Sequence, residues 1–568
     1  MKNKVSQFVL AIMLTCSLTA YALPTLVVEP GVGTLNAAIT ANQGNVIYQL
    51  KAGEWYQLTS TIQNSGFDLT IIGADPATPG GMPATLQTGA SVSGAVFQQM
   101  FNSLGNLTLK NIYFVNCSLT GTVGAYFMTN GATNGRTIIN KCVFNPTGTG
   151  TGFSLTGSNS KTYFTDNLVM NYGHELSPND GFVFNTANTT GIGVDTLLVQ
   201  NNTFVATGTV LHSGNLGKVN IDNFSKWDHN SIILQKSQID WQTFEREYYW
   251  TNNLMFDVNT QPYSLAWDPM PGADKGKPRS GLIYADTIKN DVFPSATLQF
   301  VQYNNHYRNP KFYTQLTQLN AIGKANSKPL LRYMSLLMPL DSINVSRETE
   351  MFANSTSFPK WKNGHTLNDV DPQFVDPMIY KRSDSLVLWT LTATQVHAFG
   401  LPSANFPPAS KWAKWHWYPS DGLMDLSINS DWPAFNAKYT NPALLTASIE
   451  GLPLGDLNWF PAQKAFWLAH KTEIDNYMRA ANDAKMTFTA LANVQSETVS
   501  FYPNPARDMI ALKGVRNADF TICTLDGRAV KTAQKATILN VSDLHSGIYL
   551  ITIKEGNTSS TEKLMIQK

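Results

Sequence analysis

Three short stretches carry side chains that could move protons. "HELSPNDG" holds His174, Glu175 and Asp180. "DNFSKWDHN" holds Lys226, Asp228 and His229, and "FEREYYW" holds Glu245, Arg246 and Glu247. Elimination across the glycosidic bond of a uronic sugar needs this kind of set. A cation neutralises the substrate carboxylate, a base takes the α-proton, and the departing oxygen is tolerated or protonated. Asp180, Asp228 and Arg246 are the catalytic candidates. Asp228 and Arg246 fall on neighbouring coils of the repeat described below and could face one groove. The plain alternative for each is a turn or coil-surface residue satisfied locally. His229 sits in a repeated polar pair and reads as a ladder residue rather than a base. A fourth stretch, "KWAKWHWYPSDG", offers Trp412, Trp415, Trp417 and Tyr418 as ligand-binding candidates. Their flat faces suit the apolar faces of pyranose rings, although the 415/417 alternation fits packing at the end of a core as well.

Other chemistries find no footing. The chain has no CxxC or HExxH, so no metal site is identified. Its glycine-rich stretches are turn material, and none sets G-x-G-x-x-G between a strand and a helix. Lys and Arg number 41 against 40 Asp and Glu, which gives no basic surface for nucleic acid. Only 14% of residues are charged while 43% are apolar. That balance points to a β-rich surface rather than to long solvated helices.

The elements that must position these residues show as a repeat. A polar pair followed by apolar residues recurs in "KNIYF", "NKCVF", "DNLVM", "NNTF", "HNSII", "NNLMF" and "NNHY". Counted at the second polar residue (111, 141, 167, 202, 230, 253 and 305), the gaps are 30, 26, 35, 28, 23 and 52. Such spacing implies stacked coils of short strands with loops of variable length. Inward residues such as Phe204, Ile232 and Met255 would stack into one core, and the Asn residues would form a ladder. "TLNAAITANQGNVIYQLKAGEWYQL" reads as a capping helix, a strand and a Gly turn, and "FDLTIIGAD" as the next strand. A helix there would close the first open coil.

With "IYQLKAGEWY", "LTIIGA" and the later "DVDPQFVDP", residues 27–380 resemble the right-handed parallel β-helix proteins of the pectate-lyase-like superfamily. The resemblance implies a carbohydrate-active protein: a lyase on pectin-like acidic glycan or, alternatively, a non-catalytic glycan-binding or adhesion protein. Ca²⁺ is the cofactor such a lyase would take. "GLPLGDLNWFP" is similar to the C-terminal ends of secreted β-helix proteins of polysaccharide-degrading Bacteroidota. It leads into a helix beginning at Pro461, with Phe466, Ala469, Ile474, Tyr477 and Met478 expected on one face.

Both ends read as addresses. Lys2 and Lys4, an apolar run from Phe8 to Leu18, and "AYA" at 20–22 make a signal peptide. No apolar run is long enough to span a bilayer. At the other end, "YPNPARD", "LDGRAV", "LHSGIYLITI" and "EKLMIQK" closely resemble the type A C-terminal sorting domain of the type IX secretion system. The matching positions are Tyr502, Pro503, Asn504, Pro505, Gly527, Gly547 and Tyr549. The implied partners are the type IX machinery and polysaccharide, with no nucleic acid. The chain is expected to be a monomer, exported to the periplasm and then secreted or held at the outer surface. Cys117 and Cys142 are read as buried thiols, or as a pair if adjacent coils bring them together.

The expected architecture is all-β. It comprises a signal peptide (1–22), a right-handed parallel β-helix with an N-terminal cap helix (23–380), an end region with a packing helix (381–480), a linker (481–497) and a small β-sandwich (498–568).

Overall fold

A computed structural model describes residues 23–488 and 500–568 with interruptions, the longest being 265–282, 285–297, 334–360 and 401–434. The proposed signal peptide lies outside the described residues, as do His174, Glu175, Asp180, Gly527 and the Trp412–Tyr418 cluster. Two compact units divide the chain, residues 1–485 and 486–568.

The first unit is a parallel β-helix. Among the described residues its strands form two parallel sheets of eleven and one of eight. The first sheet includes 161–165, 196–200, 222–228 and 245–251. The second includes 203–205, 231–233 and 254–256. Alternation along each strand sends every second residue inward. Register then stacks like on like, so Phe204 pairs with Ile232 and Ile232 with Met255. Phe114 and Phe144 stack at 5.1 Å, and Trp227 and Trp250 at 5.6 Å. Each such ring is worth about 1.5–3 kcal/mol buried rather than exposed.

Helix α1 (Thr34–Asn42) closes the first coil with Leu35 and Ile39 buried against the core. Helix α2 (Lys311–Ala325) precedes the last coil strands, 361–363 and 367–368, and helix α3 (Met378–His397) follows them. They are joined by the Gln315 amide, which donates to the Val387 carbonyl at 2.8 Å. Helix α2 falls inside the stretch read from sequence as β-helix, and neither α2 nor α3 was expected. Helix α4 (Pro461–Arg479) buries Trp467, Ile474 and Met478. The expected face contained Ile474 and Met478 but missed Trp467, and Ala469 is exposed.

The bends explain the polar pairs. Asn111, Lys141, Asp166, Asn201, His229 and Asn252 all have φ between +53° and +62°. Asn and Asp tolerate this left-handed conformation better than most residues. From Asp166 onward the next residue is an Asn whose side chain runs the ladder. Asn167 donates to Asn202 Oδ1, Asn202 to Asn230 Oδ1 and Asn230 to Asn253 Oδ1, each at 3.0 Å. The sequence register therefore slips by one: 111 and 141 are bend positions, while 167, 202, 230 and 253 are ladder positions. His229 is likewise a bend residue and not part of the ladder, which passes through Asn230.

The second unit is a seven-stranded sandwich of two antiparallel sheets, three strands and four. Asn504 of the "YPNP" stretch pins the last strand. Its amide donates to the Lys563 carbonyl at 2.8 Å, and its oxygen accepts from the Met565 N–H at 2.8 Å. Tyr549 donates to the His545 carbonyl at 3.0 Å, next to Gly547.

Candidate functional site

On the outer face of the first sheet, register lines up Tyr163, Leu198, Lys226 and Tyr249 across four coils. One residue pair further on, Gln200, Asp228 and Thr251 form a second row. Helix α4 runs beside this face and supplies Lys471, Asp475, Met478 and Arg479. The sheet and the helix together enclose a groove of about 490 Å³.

Charge in the groove is layered by depth. At the bottom, Lys226 is 5% exposed. Its ammonium donates to Asp475 Oδ1 at 2.5 Å and lies 3.5 Å from Asp228 Oδ2. Burial works against the charge on Lys226, but Asp228 and Asp475 outweigh it and hold the pKa above its ordinary value. Asp228 is fully buried and accepts from Gln200 at 3.1 Å, Thr251 at 2.8 Å and Asn252 at 3.0 Å. Burial would raise its pKa, yet Lys226, His229 and Thr251 bring it below the carboxylate norm. Tyr249 is pushed up to about 12, first by burial and then by the nearby Glu247 carboxylate.

Nearer solvent, Arg246 and Arg479 are exposed. The Arg479 guanidinium sits 4.9 Å from the centre of the Phe224 ring, a cation–π contact. Lys471 donates to Asp475 Oδ2 at 2.7 Å and lies 4.9 Å from the Trp467 ring centre.

A strap before helix α4 fixes it to the bends. Ile449 N–H donates to Asn252 Oδ1 at 2.9 Å, Gly455 N–H to the Asn252 carbonyl at 2.8 Å and Asp456 N–H to Ser231 Oγ at 2.9 Å. Thr203 donates to Asp456 at 2.7 Å, and Trp459 Nε1 to Thr203 Oγ1 at 2.9 Å. Lys464 pairs with Asp166. Gly455 has φ +80°, and a Cβ there would lie 2.5 Å from Ser231 Oγ and 2.8 Å from Leu254 Cβ. Close approach of the strap to the coil therefore requires glycine at 455.

Of the candidates named from sequence, Arg246 and Asp228 lie on adjacent paired strands, Asp228 opposite Thr251. Arg246 lines the groove; Asp228 lies beneath its floor, bonded to Lys226. The sequence could not show that helix α4 supplies the far wall, so Lys471, Asp475 and Arg479 went unnamed. The spacing of Trp467, Lys471, Ile474 and Met478 at four, three and four residues would have found that face. Among the described residues no group of three or more His, Cys, Asp or Glu side chains converges on a metal position. Cys117 and Cys142 are free thiols, each pushed up to about 12 by burial.

Residues 500–567 match the family described as secretion system C-terminal sorting domain. The chain thus carries a type IX sorting tail, which marks it for export to the cell surface or beyond and makes the secretion machinery its partner. The "YPNP" stretch and the pinned last strand belong to that domain. No described helix is long and apolar enough to cross a membrane. Among solved structures, the chain is similar to a PL6 family alginate lyase, AlyGC, at 15% identity and a TM-score of 0.24. The match covers 46% of this chain and 39% of that one. No curated protein matches.

Proposed function

We propose that this exported β-helix protein takes an acidic polysaccharide in the lateral groove of its first sheet and cleaves it as a lyase. The observation that carries the reading is the pairing of exposed Arg246 and Arg479 with the Phe224 and Tyr163 rings in one groove. Guanidinium groups bind carboxylates in a bidentate way, and aromatic faces suit sugar rings. Arg246 would neutralise a uronate carboxylate and so make the neighbouring proton easier to remove.

Lys226 favours a second reading, binding without cleavage. Asp228 and Asp475 keep its ammonium charged, so it cannot take a proton as it stands. The experiment incubates the full chain with a panel of uronic polysaccharides, with and without Ca²⁺. It follows unsaturated-product absorbance and, in parallel, retention on the same immobilised glycans. Product formation supports the lyase. Retention without product supports binding alone. Neither on any glycan overturns both.

A further inference from the structure

His229 is fully buried, and both of its ring nitrogens face acceptors. Nδ1 lies 3.1 Å from the Gly455 carbonyl, and Nε2 contacts Glu450 Oε1. The other Glu450 oxygen already accepts from Asn252 Nδ2 at 3.1 Å, so the carboxylate acts as an acceptor on both sides. A neutral imidazole has one N–H and can satisfy only one of two acceptors; the imidazolium satisfies both.

The charges around the ring agree. The coils contribute Asp228 and Lys226, the strap contributes Glu450, and helix α4 contributes Lys471 and Asp475. Trp467 packs edge-on at 6.1 Å. Lys464 and Asp166 pair with each other, and Asp456, pushed up to about 7 by burial, is about half ionised at neutrality, with Lys464 the cation that acts on it; leaving that strap carboxyl aside, the groups around the ring balance. With His229 charged, three carboxylates meet three cations. With it neutral, one negative charge is left over in a buried place, which is costly.

We propose that His229 is a buried imidazolium clamp that locks segment 448–479, and with it the helical wall of the groove, onto the coils, and that the clamp opens as pH rises above neutrality. This inference rests on the hydrogen bonds and charges and stands whether or not the groove takes a polysaccharide. The sign follows from linkage. Burial lowers the pKa of His229, but Glu450 and Asp228 outweigh it and raise it above 6.5. Stability from the clamp is fully present below that ordinary value and is lost as pH climbs through the folded one.

Hydrogen exchange on the full chain tests this, with rates corrected for intrinsic pH dependence. In the wild type, peptides covering 449–457 should lose protection at least tenfold between about pH 6.5 and pH 9.5, while coil peptides at 197–205 hold theirs. Glu450→Gln should show low protection in 449–457 at every pH. Flat protection in the wild type over the whole range overturns the proposal, and this arm decides even if the variant fails to fold. An unchanged pH-dependent fall in a folded Glu450→Gln also overturns it, because Glu450 would then not be the group that holds the proton.

Discussion

At the scale of single residues, burial and pairing decide what each charged group can do. Lys226 and Asp228 compensate each other beneath the groove. Lys226→Ala should therefore cost up to about 3–5 kcal/mol, because it leaves buried Asp228 with only His229 and Lys471 as cations acting on it. Chemical denaturation would read this as a lower midpoint at unchanged slope. Asp222 works the other way. It is buried, accepts from Val194 N–H at 2.7 Å, and is pushed up to about 7 by burial. A carboxyl with a raised folded pKa loses stability as pH rises from its ordinary value, 3.8, to the folded one. Asp222→Asn keeps the acceptor and removes the titration. It should match the wild type near pH 4 and melt at higher temperature at pH 8. An equal melting temperature at pH 8 would contradict the burial argument. Gly455→Ala should loosen the strap without unfolding the coils, visible as protease cleavage within 448–460.

At the scale of elements, the sequence was most legible where a physical requirement repeats. Inward Phe204, Ile232 and Met255 were readable because strand alternation and coil length both constrain them. The bend residues were visible as polar pairs, but which partner bends and which bonds along the ladder was not. Both positions accept Asn, and only backbone conformation separates them; this is also why His229 was misplaced. Helices α2 and α3 left no such repeat to follow. The ladder itself is testable. Asn202 Oδ1 accepts from the Asn167 N–H at 2.9 Å, and its amide donates to the Phe164 carbonyl at 3.0 Å. Asn202→Ala orphans buried groups on two coils and should cost about 3 kcal/mol. Because neighbouring coils share the ladder, the loss in a double variant with Asn230→Ala should fall short of the sum of the single losses.

At the scale of the whole molecule, the chain joins a β-helix to a separate unit that carries a recognised sorting domain. The tail was legible because its motifs sit at fixed order and spacing at the chain end. The groove was only half legible, since its sheet side comes from adjacent coils while its helical wall lies more than 200 residues away in sequence. Deleting residues 498–568 should leave the β-helix folded and keep it from reaching the surface, as fractionation would show.

The lateral groove, through Arg246 and Arg479, is where the proposed function puts an acidic polysaccharide. The most direct test of this is the affinity of the full chain and of an Arg246→Ala/Arg479→Ala double variant for a uronic polysaccharide at two salt concentrations. Both arginines are exposed, so the variant should fold as the wild type does. The variant should lose at least tenfold in affinity and show a weaker salt dependence. Equal affinity and equal salt dependence in the two chains would contradict that placement.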